Sequence, residues 1–321
     1  MTDPLVAVSV DLDPLPCYYR IHALGEPPRE LRDLVLRRAV PRLAELFARH
    51  GMPATWFVVG EDLDADVVGE PAATAARALL AERHAAGDEL GNHSHTHPYD
   101  LARRSPADVA REIGACDERL RAITGRPIAG FRAPGYDLSA VMLAELARRG
   151  YVYDSSIYPA PGYYAAKAAV MAALRALGRP SGAVLTDPRA LVAPTVPYRP
   201  AMSAPWRRGQ SPVIELPIAV TPWTRLPAIG TTLILAPPWL RARGLAAMRS
   251  RKLFNLELHG IDLIDAELDG IPGELVARQP DLRVPLDVKL AALDEVLAAL
   301  VAERRAVTLR QAATWAQREA A

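Results

Sequence analysis

Three of the seven histidines of this chain lie in one short stretch, residues 91–98, which reads Gly-Asn-His-Ser-His-Thr-His-Pro. An imidazole is a common ligand of divalent metal ions and also titrates near neutral pH. His93 and His97 are four residues apart, so a helical turn would place both rings on one face. The stretch is typical of a metal site whose remaining ligands lie elsewhere in the chain.

Carboxylates that could complete such a site follow the first predicted strand, residues 6–10. Asp11 and Asp13 are two positions apart, so in an extended segment both side chains point to the same side. One aspartate with His93 and His97 would leave an ion such as zinc an open position for water and substrate. The other aspartate could act as the base toward that water. If these motifs have no catalytic function, the histidines form a solvated loop and the aspartates belong to an Asp-Pro turn.

An arginine motif follows the fourth predicted strand and reads Phe-Arg-Ala-Pro-Gly-Tyr from residue 131. Arg132 could hold the base carboxylate in place and keep it ionised. A backbone N–H group at Gly135 or Tyr136 could bind a developing oxyanion. The alternative is a surface arginine that precedes an ordinary Pro-Gly turn.

The histidine at the end of the predicted strand 253–259 is a candidate general acid. The leucines of this strand share one face, so Glu257 and His259 share the other and face a barrel interior or its mouth. An imidazole outside the metal set can protonate a leaving amine. Asp154 is a candidate to orient His259 or tune its pKa, and Asp262 is the other. A buried structural histidine is the alternative.

Short strands and helices alternate through the first half of the chain, as in parallel sheets whose strands are joined by helices. The pattern predicts an α/β fold, either a closed barrel or an open doubly wound sheet. In both architectures, active sites form at the carboxyl ends of the strands. The polar residues described above all follow predicted strand ends. The predicted strands of this half are residues 6–10, 54–59, 89–92, 128–131 and 151–154.

The regular alternation stops after the fifth strand, where fourteen of the 29 prolines fall between residues 159 and 238. This stretch also holds large apolar and aromatic side chains, so we expect an ordered insertion packed on the barrel. Within it, residues 213–216 should form a further strand. We predict a single domain over residues 1–321 with this insertion. The insertion could form a lid over the substrate pocket, or it could only cover the barrel, and both alternatives remain open.

Composition narrows the classes of function. The formal net charge of +1, without a run of like charge, argues against nucleic-acid binding. No apolar run is long enough for a transmembrane helix, and the N-terminus does not resemble a signal peptide, so we expect a cytoplasmic protein. Cys17 and Cys116 lie in no metal or redox spacing and are expected to be reduced, half-buried thiols.

Taken in order, these motifs resemble the polysaccharide deacetylase family, the NodB-homology domain of carbohydrate esterase family four. The similarity covers approximately residues 6–56, residues 89–158 and the chain from residue 253 onward. The resemblance implies a distorted (β/α) barrel, usually of seven strands, and a metal-dependent hydrolase that removes an N-acyl group from an amino sugar. It further implies site roles for four residues: His93 and His97 bind the metal, Arg132 holds the base, and His259 is the acid.

This chain departs from the usual family pattern in three motifs. The family commonly has two adjacent aspartates, whereas here one residue separates Asp11 from Asp13. Alignment of the strand makes Asp11 the base and Asp13 the third ligand, with the reverse assignment left open. The extra glycine of the Arg-Ala-Pro-Gly-Tyr motif leaves the oxyanion donor between Gly135 and Tyr136. The fourth motif lacks its usual tryptophan, and this affects the pocket around Asp154.

The resulting hypothesis is a deacetylase or deformylase that uses one divalent ion, zinc first, with cobalt, nickel or manganese as alternatives. Its substrate would be an acylated amino sugar or a lipid-linked sugar, and a peripheral membrane location is the alternative to a freely cytoplasmic one. Two other functions remain open. One is hydrolysis of linear or cyclic amides that are not sugars, and the other is a catalytically silent relative that binds glycans.

Overall fold

A computed structural model of the chain describes residues 3–319, in which strands and helices alternate. The strands are β1 (Leu5–Asp11), β2 (Ala54–Val58), β3 (Glu89–Asn92), β4 (Gly130–Phe131), β5 (Tyr153–Asp154), β6 (Pro200–Ala201), β7 (Ala204–Arg208), β8 (Ile214–Glu215), β9 (Leu253–His259) and β10 (Arg305–Val307). The α-helices are α1 (Leu15–Ile21), α2 (Val40–Arg49), α3 (Ala65–Val68), α4 (Glu70–Ala85), α5 (Pro106–Thr124), α6 (Ala140–Arg149), α7 (Pro161–Ala176), α8 (Gly230–Leu235), α9 (Pro238–Ala247), α10 (Gly273–Val276), α11 (Leu286–Glu303) and α12 (Leu309–Glu319).

The main sheet is parallel and curled. From β1 it runs through β2, β3, β4 and β5 to β8, and β9 pairs with β1 along its whole length. The short strand β10 pairs with the first half of β1, whereas β2 pairs with the second half. Beyond β8, the N–H of Ala219 donates to the carbonyl of Asn255 in β9 over 3.1 Å, which brings the two edges together. The predicted distorted (β/α) barrel of seven strands is confirmed, with β10 as an addition.

Successive side chains of β1 and β9 point alternately toward the barrel interior and toward the layer of helices. Every residue of β1 is buried, as expected for a strand covered on both faces. Val8 and Val10 belong to the core beneath the helices, whereas Ala7 belongs to a second apolar cluster with residues from the neighbouring strands. The register pairs Asp11 with His259 across β1 and β9. Because side chains alternate along each strand, Asp11 and His259 lie above the interior cluster, at the barrel mouth.

The proline-rich stretch contributes to the barrel as well as covering it. Its predicted strand at residues 213–216 is present as β8, which pairs with β5. Before β8 lie α7 and an antiparallel pair formed by β6 and β7. Only Tyr164 is buried on α7, so this helix lies on the outside of the protein. The single domain with an insertion remains a prediction.

None of the helices within residues 3–319 has both the length and the hydropathy required to cross a bilayer.

Candidate active site

The polar residues at the strand ends meet at one edge of the barrel, as the sequence pattern predicted. Parallel pairing brings Asp11 opposite His259, Asn92 opposite Phe131, and Phe131 opposite Asp154. The strands therefore end at one level, and the loops that follow them carry their side chains into a shared space.

Asp13, His93 and His97 form a compact set of potential metal ligands. The Oδ1 atom of Asp13 lies 3.1 Å from Nε2 of His93 and 3.2 Å from Nε2 of His97. All three side chains are buried. Burial alone would raise the pKa of Asp13, but His97 and His93 hold the pKa of this carboxyl well below its usual range. The carboxylate is therefore ionised and available as a ligand.

The path of the histidine loop differs from the predicted one. Residues 93–98 form no helical turn; instead, Ser94 (φ 65°) and His97 (φ 51°) adopt left-handed backbone conformations. Glu112 of α5 holds the loop by accepting hydrogen bonds from the N–H groups of His95 and Thr96. The two rings meet because the loop curls around this carboxylate, so the helical-turn argument was wrong although the pair was identified.

Hydrogen bonds behind the two rings orient the candidate ligands. The carbonyl of Arg132 lies 2.7 Å from Nδ1 of His93, which places a proton on Nδ1 and leaves the Nε2 lone pair free. Nδ1 of His97 lies 3.4 Å from Sγ of Cys17, and Arg20 donates to the same sulfur over 3.1 Å. Cys17 is fully buried rather than half-buried as predicted. This contact was missed because no sequence spacing joins Cys17 to the histidine stretch.

The three donors fit a divalent cation. Ligands of a tetrahedral ion at about 2.0–2.2 Å are separated from one another by roughly 3.4 Å, close to the separations observed here. Nε2 of His97 is buried and makes no aligned hydrogen bond within residues 3–319, although an oxygen of Asp13 lies near it. A buried lone pair without a donor is costly unless a cation occupies its direction. One carboxylate and two imidazoles also match the usual donor set of a catalytic zinc.

Arg132 is buried at the centre of the site and holds Asp11. Its Nη1 donates to Oδ1 of Asp11 over 2.6 Å, and its remaining N–H groups donate to Ser9 and Ser155. The guanidinium also lies 4.3 Å from the centre of the Phe57 ring. Asp11 is thus held apart from the metal set: its Oδ2 lies 3.8 Å from Nε2 of His93. The role of Asp11 as the base remains a prediction.

His259 is held by Glu257 and Tyr136. Its Nδ1 lies 3.0 Å from Oε1 of Glu257, and its Nε2 lies 3.1 Å from the hydroxyl of Tyr136. That hydroxyl donates to the same Oε1 over 3.0 Å. Burial alone would lower the pKa of His259, but the adjacent Glu257 raises it well above its ordinary value. This environment favours the protonated ring, the form in which a histidine can act as an acid.

The structure does not bring Asp154 to His259. Both oxygens of Asp154 accept hydrogen bonds from Ser156, whose hydroxyl in turn accepts from the N–H of Ala133. Asp154 also lies opposite Glu215 in the sheet, and burial, followed by the charge of Asp154, raises the pKa of Glu215 well above its usual range. Asp154 thus supports the loop after Arg132. The other candidate, Asp262, accepts from the backbone N–H of His259 and not from its ring.

The two candidate oxyanion donors differ in their hydrogen bonds. The N–H of Tyr136 already donates to the carbonyl of Ala133 over 3.1 Å. For Gly135, whose φ of 68° suits glycine, no N–H partner occurs within residues 3–319. Gly135 is therefore the better candidate for the backbone donor. Tyr136 faces the site with its hydroxyl instead.

The third histidine of the stretch points away from the metal set. Nε2 of His95 lies 3.5 Å from an oxygen of Asp64, and burial together with Arg119 lowers the pKa of His95. In the structure His95 contributes to the packing of the loop.

Tyrosines from α7 lie over the site. The rings of Tyr163 and Tyr158 are 5.1 Å apart, and the rings of Tyr158 and Tyr136 are 5.2 Å apart. Burial raises the pKa of Tyr163, and the negative charges of Glu257 and Asp13 raise it further. The Tyr163 ring also lies 6.3 Å from that of Tyr136, and this contact favours the lid hypothesis for this part of the insertion.

Comparison with known proteins relates part of the chain to a described family. Residues 32–153 match the sequence profile described as polysaccharide deacetylase. Over this segment the chain is similar to the polysaccharide deacetylase family, and the resemblance inferred from the motifs is confirmed. Within this segment lie His93, His97 and Arg132, whereas Asp11, Asp13, Asp154 and His259 lie outside it.

Two relatives of known description match about half of the chain. A peptidoglycan deacetylase of Helicobacter pylori is 27% identical over 157 residues, which are 48% of this chain and 49% of that protein. A chitooligosaccharide deacetylase of Bradyrhizobium is 30% identical over 141 residues, 42% of this chain and 59% of that protein. The chain thus covers only about half the length of these relatives.

Two crystal structures share the fold of this chain. One is a candidate polysaccharide deacetylase from Mycobacterium smegmatis, with a TM-score of 0.58 and 17% identity over 99% of this chain and 92% of that chain. The other is a candidate glycoside hydrolase/deacetylase from Parabacteroides distasonis, with a TM-score of 0.65 and 12% identity over 99% of this chain and 71% of that chain. At these identities the comparison establishes the fold alone.

Proposed function

We propose that this protein is a metal-dependent hydrolase that removes an N-acetyl group from an amino sugar. The observation that carries the proposal is the arrangement around Asp13, His93 and His97. On one side lies the Asp11 carboxylate, fixed by Arg132, and nearby lies the protonated ring of His259. Candidate donor atoms of Asp11, Glu257 and His259 lie within 4.8 Å of one another. The candidate base, the candidate acid and the candidate ligands are therefore close to one another.

Each side chain has a role that follows from its contacts. Asp13, His93 and His97 would hold the cation, with zinc as the first candidate and cobalt, nickel or manganese as alternatives. When bound, the ion supplies a Lewis acid that polarises an acyl carbonyl and makes water more acidic. Asp11 accepts the proton of the attacking water, because Arg132 binds one of its oxygens and leaves the other available.

The remaining residues complete the reaction. His259 gives the proton on its ring to the leaving amine, and Tyr136 holds that proton in position beforehand. The N–H of Gly135 stabilises negative charge on the carbonyl oxygen, as in other acyl-transfer sites. Asp154 acts only through the loop that it supports, as a positioning residue.

The substrate class follows from the relatives and from the surface around the site. The relatives are named for peptidoglycan and chitooligosaccharide, so we expect an N-acetylated glycan as substrate. A lipid-linked sugar is the second candidate. The helix α7, which covers the site, lies in a stretch without any Asp or Glu between Asp154 and Asp187, and it exposes apolar side chains including Val170. Such a surface could receive a lipid chain.

Acetate release and metal content together test the proposed function. The untagged protein should release acetate from N-acetylated chitooligosaccharides, or acetate or formate from a lipid-linked N-acylated sugar, and chelation should abolish release until zinc or cobalt is added back. His259→Ala should keep a full equivalent of metal and lose turnover. Less than about a tenth of an equivalent of metal in the wild type, without rescue, would refute the mechanism. Release from simple or cyclic amides alone would favour a non-sugar substrate.

Glu257→Gln should shift the pH dependence of the reaction. His259 acts in its protonated form, so activity is lost as pH rises through its raised pKa. Removing the charge of Glu257 lowers that pKa, and the alkaline limb of kcat should move down by about one unit or more. The measurement is the pH profile of kcat, with metal content as the control. An unchanged profile would contradict the role of Glu257. The other charged or titratable groups near His259 are Asp11, Asp13, Asp262 and Tyr136.

A further inference from the structure

A second cavity lies at the opposite end of the barrel from the candidate active site. Its volume is about 820 Å³, within the range of small-molecule sites. Leu253, the first residue of β9, lines this cavity, whereas His259 ends the same strand at the active site. A strand of seven residues is roughly 20 Å long, so the two sites are distinct. The proposed deacylation makes no use of this cavity.

Four cationic side chains line the cavity, but only one has an acidic partner in the part of the chain that the structure describes. Lys252 pairs with Glu319 over 2.7 Å. Arg225 donates to the carbonyls of residues 191 and 193, and Arg251 donates to the hydroxyl of Thr195. These acceptors are neutral. The fourth cation, Arg208, lies near the ring of Tyr198 and forms no ion pair within residues 3–319.

The arginines also repel one another. Burial lowers the pKa of Arg251, and the charge of Arg225 lowers it further. Nε of Arg251 is buried without a hydrogen-bond partner within the described residues. An anion in the cavity would balance the charges of Arg251 and Arg225, whose hydrogen-bond acceptors are neutral. The geometry of the cluster thus favours an anionic ligand.

Two tryptophans frame the same cavity. Trp223 is 99% exposed and has a φ of 66°, a conformation that bulky residues rarely adopt. The turn that carries it is held by a 2.6 Å hydrogen bond between Thr221 and Thr224 and by the bond from the N–H of Arg225 to Thr221. The indole is therefore presented to solvent by a rigid turn. Trp315 also lines the cavity, and its Nε1 is buried without a partner within the described residues.

We propose that this cavity binds an anionic sugar, that is, a sugar ring carrying a carboxylate or a phosphate. The planar guanidiniums of Arg251 and Arg225 suit the oxygens of either anion. The flat face of the exposed Trp223 indole suits the apolar face of a sugar ring. The isolated position of the cluster, in a chain of net charge +1, does not provide the continuous basic surface that nucleic acids require.

NMR titration of the indole N–H signals of the full chain tests this proposal, because the chain has only five tryptophans. Glucuronate and glucose 6-phosphate should shift the signals of Trp223 and Trp315 saturably, whereas glucose should not. Arg251→Gln combined with Arg208→Gln should weaken binding at least about tenfold, as expected for loss of charge-assisted hydrogen bonds. Trp223→Gly, which tolerates the positive φ, should also weaken binding.

Matched variants separate specific binding from general effects. Arg249→Gln removes an exposed arginine outside the cavity that pairs with Glu303, and Trp239→Ala removes another exposed indole. Both should leave the titration unchanged. Glucose shifts equal to those of its phosphate, equal affinity for inorganic phosphate, tighter binding of a single-stranded oligonucleotide, or an absence of saturable shifts would each overturn the proposal. Acetate release is expected to be unaffected by the Arg208 and Arg251 changes, so failure here leaves the proposed deacylation standing.

Discussion

Asp11→Asn is expected to reduce turnover by about a thousandfold without removing the metal. The amide can still accept the hydrogen bond from Arg132, so the local fold should persist, but it cannot take a proton from water. Inductively coupled plasma analysis should find the same metal content as in the wild type, and acetate release under saturating substrate should report the loss.

Asp13→Ala is the matched variant for Asp11→Asn. This change removes the carboxylate that lies near both His93 and His97, so metal content should fall together with activity. Added zinc or cobalt should restore part of the activity only at raised metal concentration. If Asp11→Asn lost metal and Asp13→Ala kept it, the roles of base and ligand would have to be exchanged.

Arg132→Met should destabilise the protein by about 3–5 kcal/mol, because it leaves the Asp11 carboxylate buried without its cation. Ser9 and Ser155 also lose a hydrogen-bond partner. Urea unfolding followed by circular dichroism provides the measurement. Arg126→Met changes an exposed arginine just before β4 and should alter stability by less than about 0.5 kcal/mol.

A double variant separates the charge effect from a packing effect. Asp11→Leu in the Arg132→Met background removes the stranded carboxylate, so part of the lost stability should return. If the double variant were less stable than Arg132→Met alone, packing around the guanidinium, including Phe57, would explain the loss instead of charge.

Several features of the site could be predicted because they depend on local chain periodicity. The alternation of side chains along β9 placed Glu257 and His259 on one face. The two-residue spacing at the end of β1 did the same for Asp11 and Asp13. Strand ends identified one edge of the sheet because parallel strands end at the same level. The ligands, the arginine and the candidate acid therefore met as expected.

Other features depend on contacts between distant segments. The sequence offered Asp154 and Asp262 as partners for His259, whereas in the structure the partner is Glu257. The effect of Glu257 on His259 depends on the depth at which β9 is buried. The contact of Cys17 with His97 depends on how α1 packs against the histidine loop. The curl of that loop depends on Glu112 of α5, which no local pattern connects to it. Sequence periodicity contains no information about such pairings.

The pairing of β1 with β9 also has a consequence for folding. Ser9 and Leu256 are joined by a hydrogen bond across 247 residues of chain. Such a contact joins residues that are far apart in the chain, so forming it costs the entropy of closing a long loop. Contacts of this kind slow folding, and we expect this one to form late. The ligand triad, by contrast, lies within the first third of the chain. During synthesis we therefore expect the nascent protein to gain its three candidate metal ligands well before it gains the candidate acid.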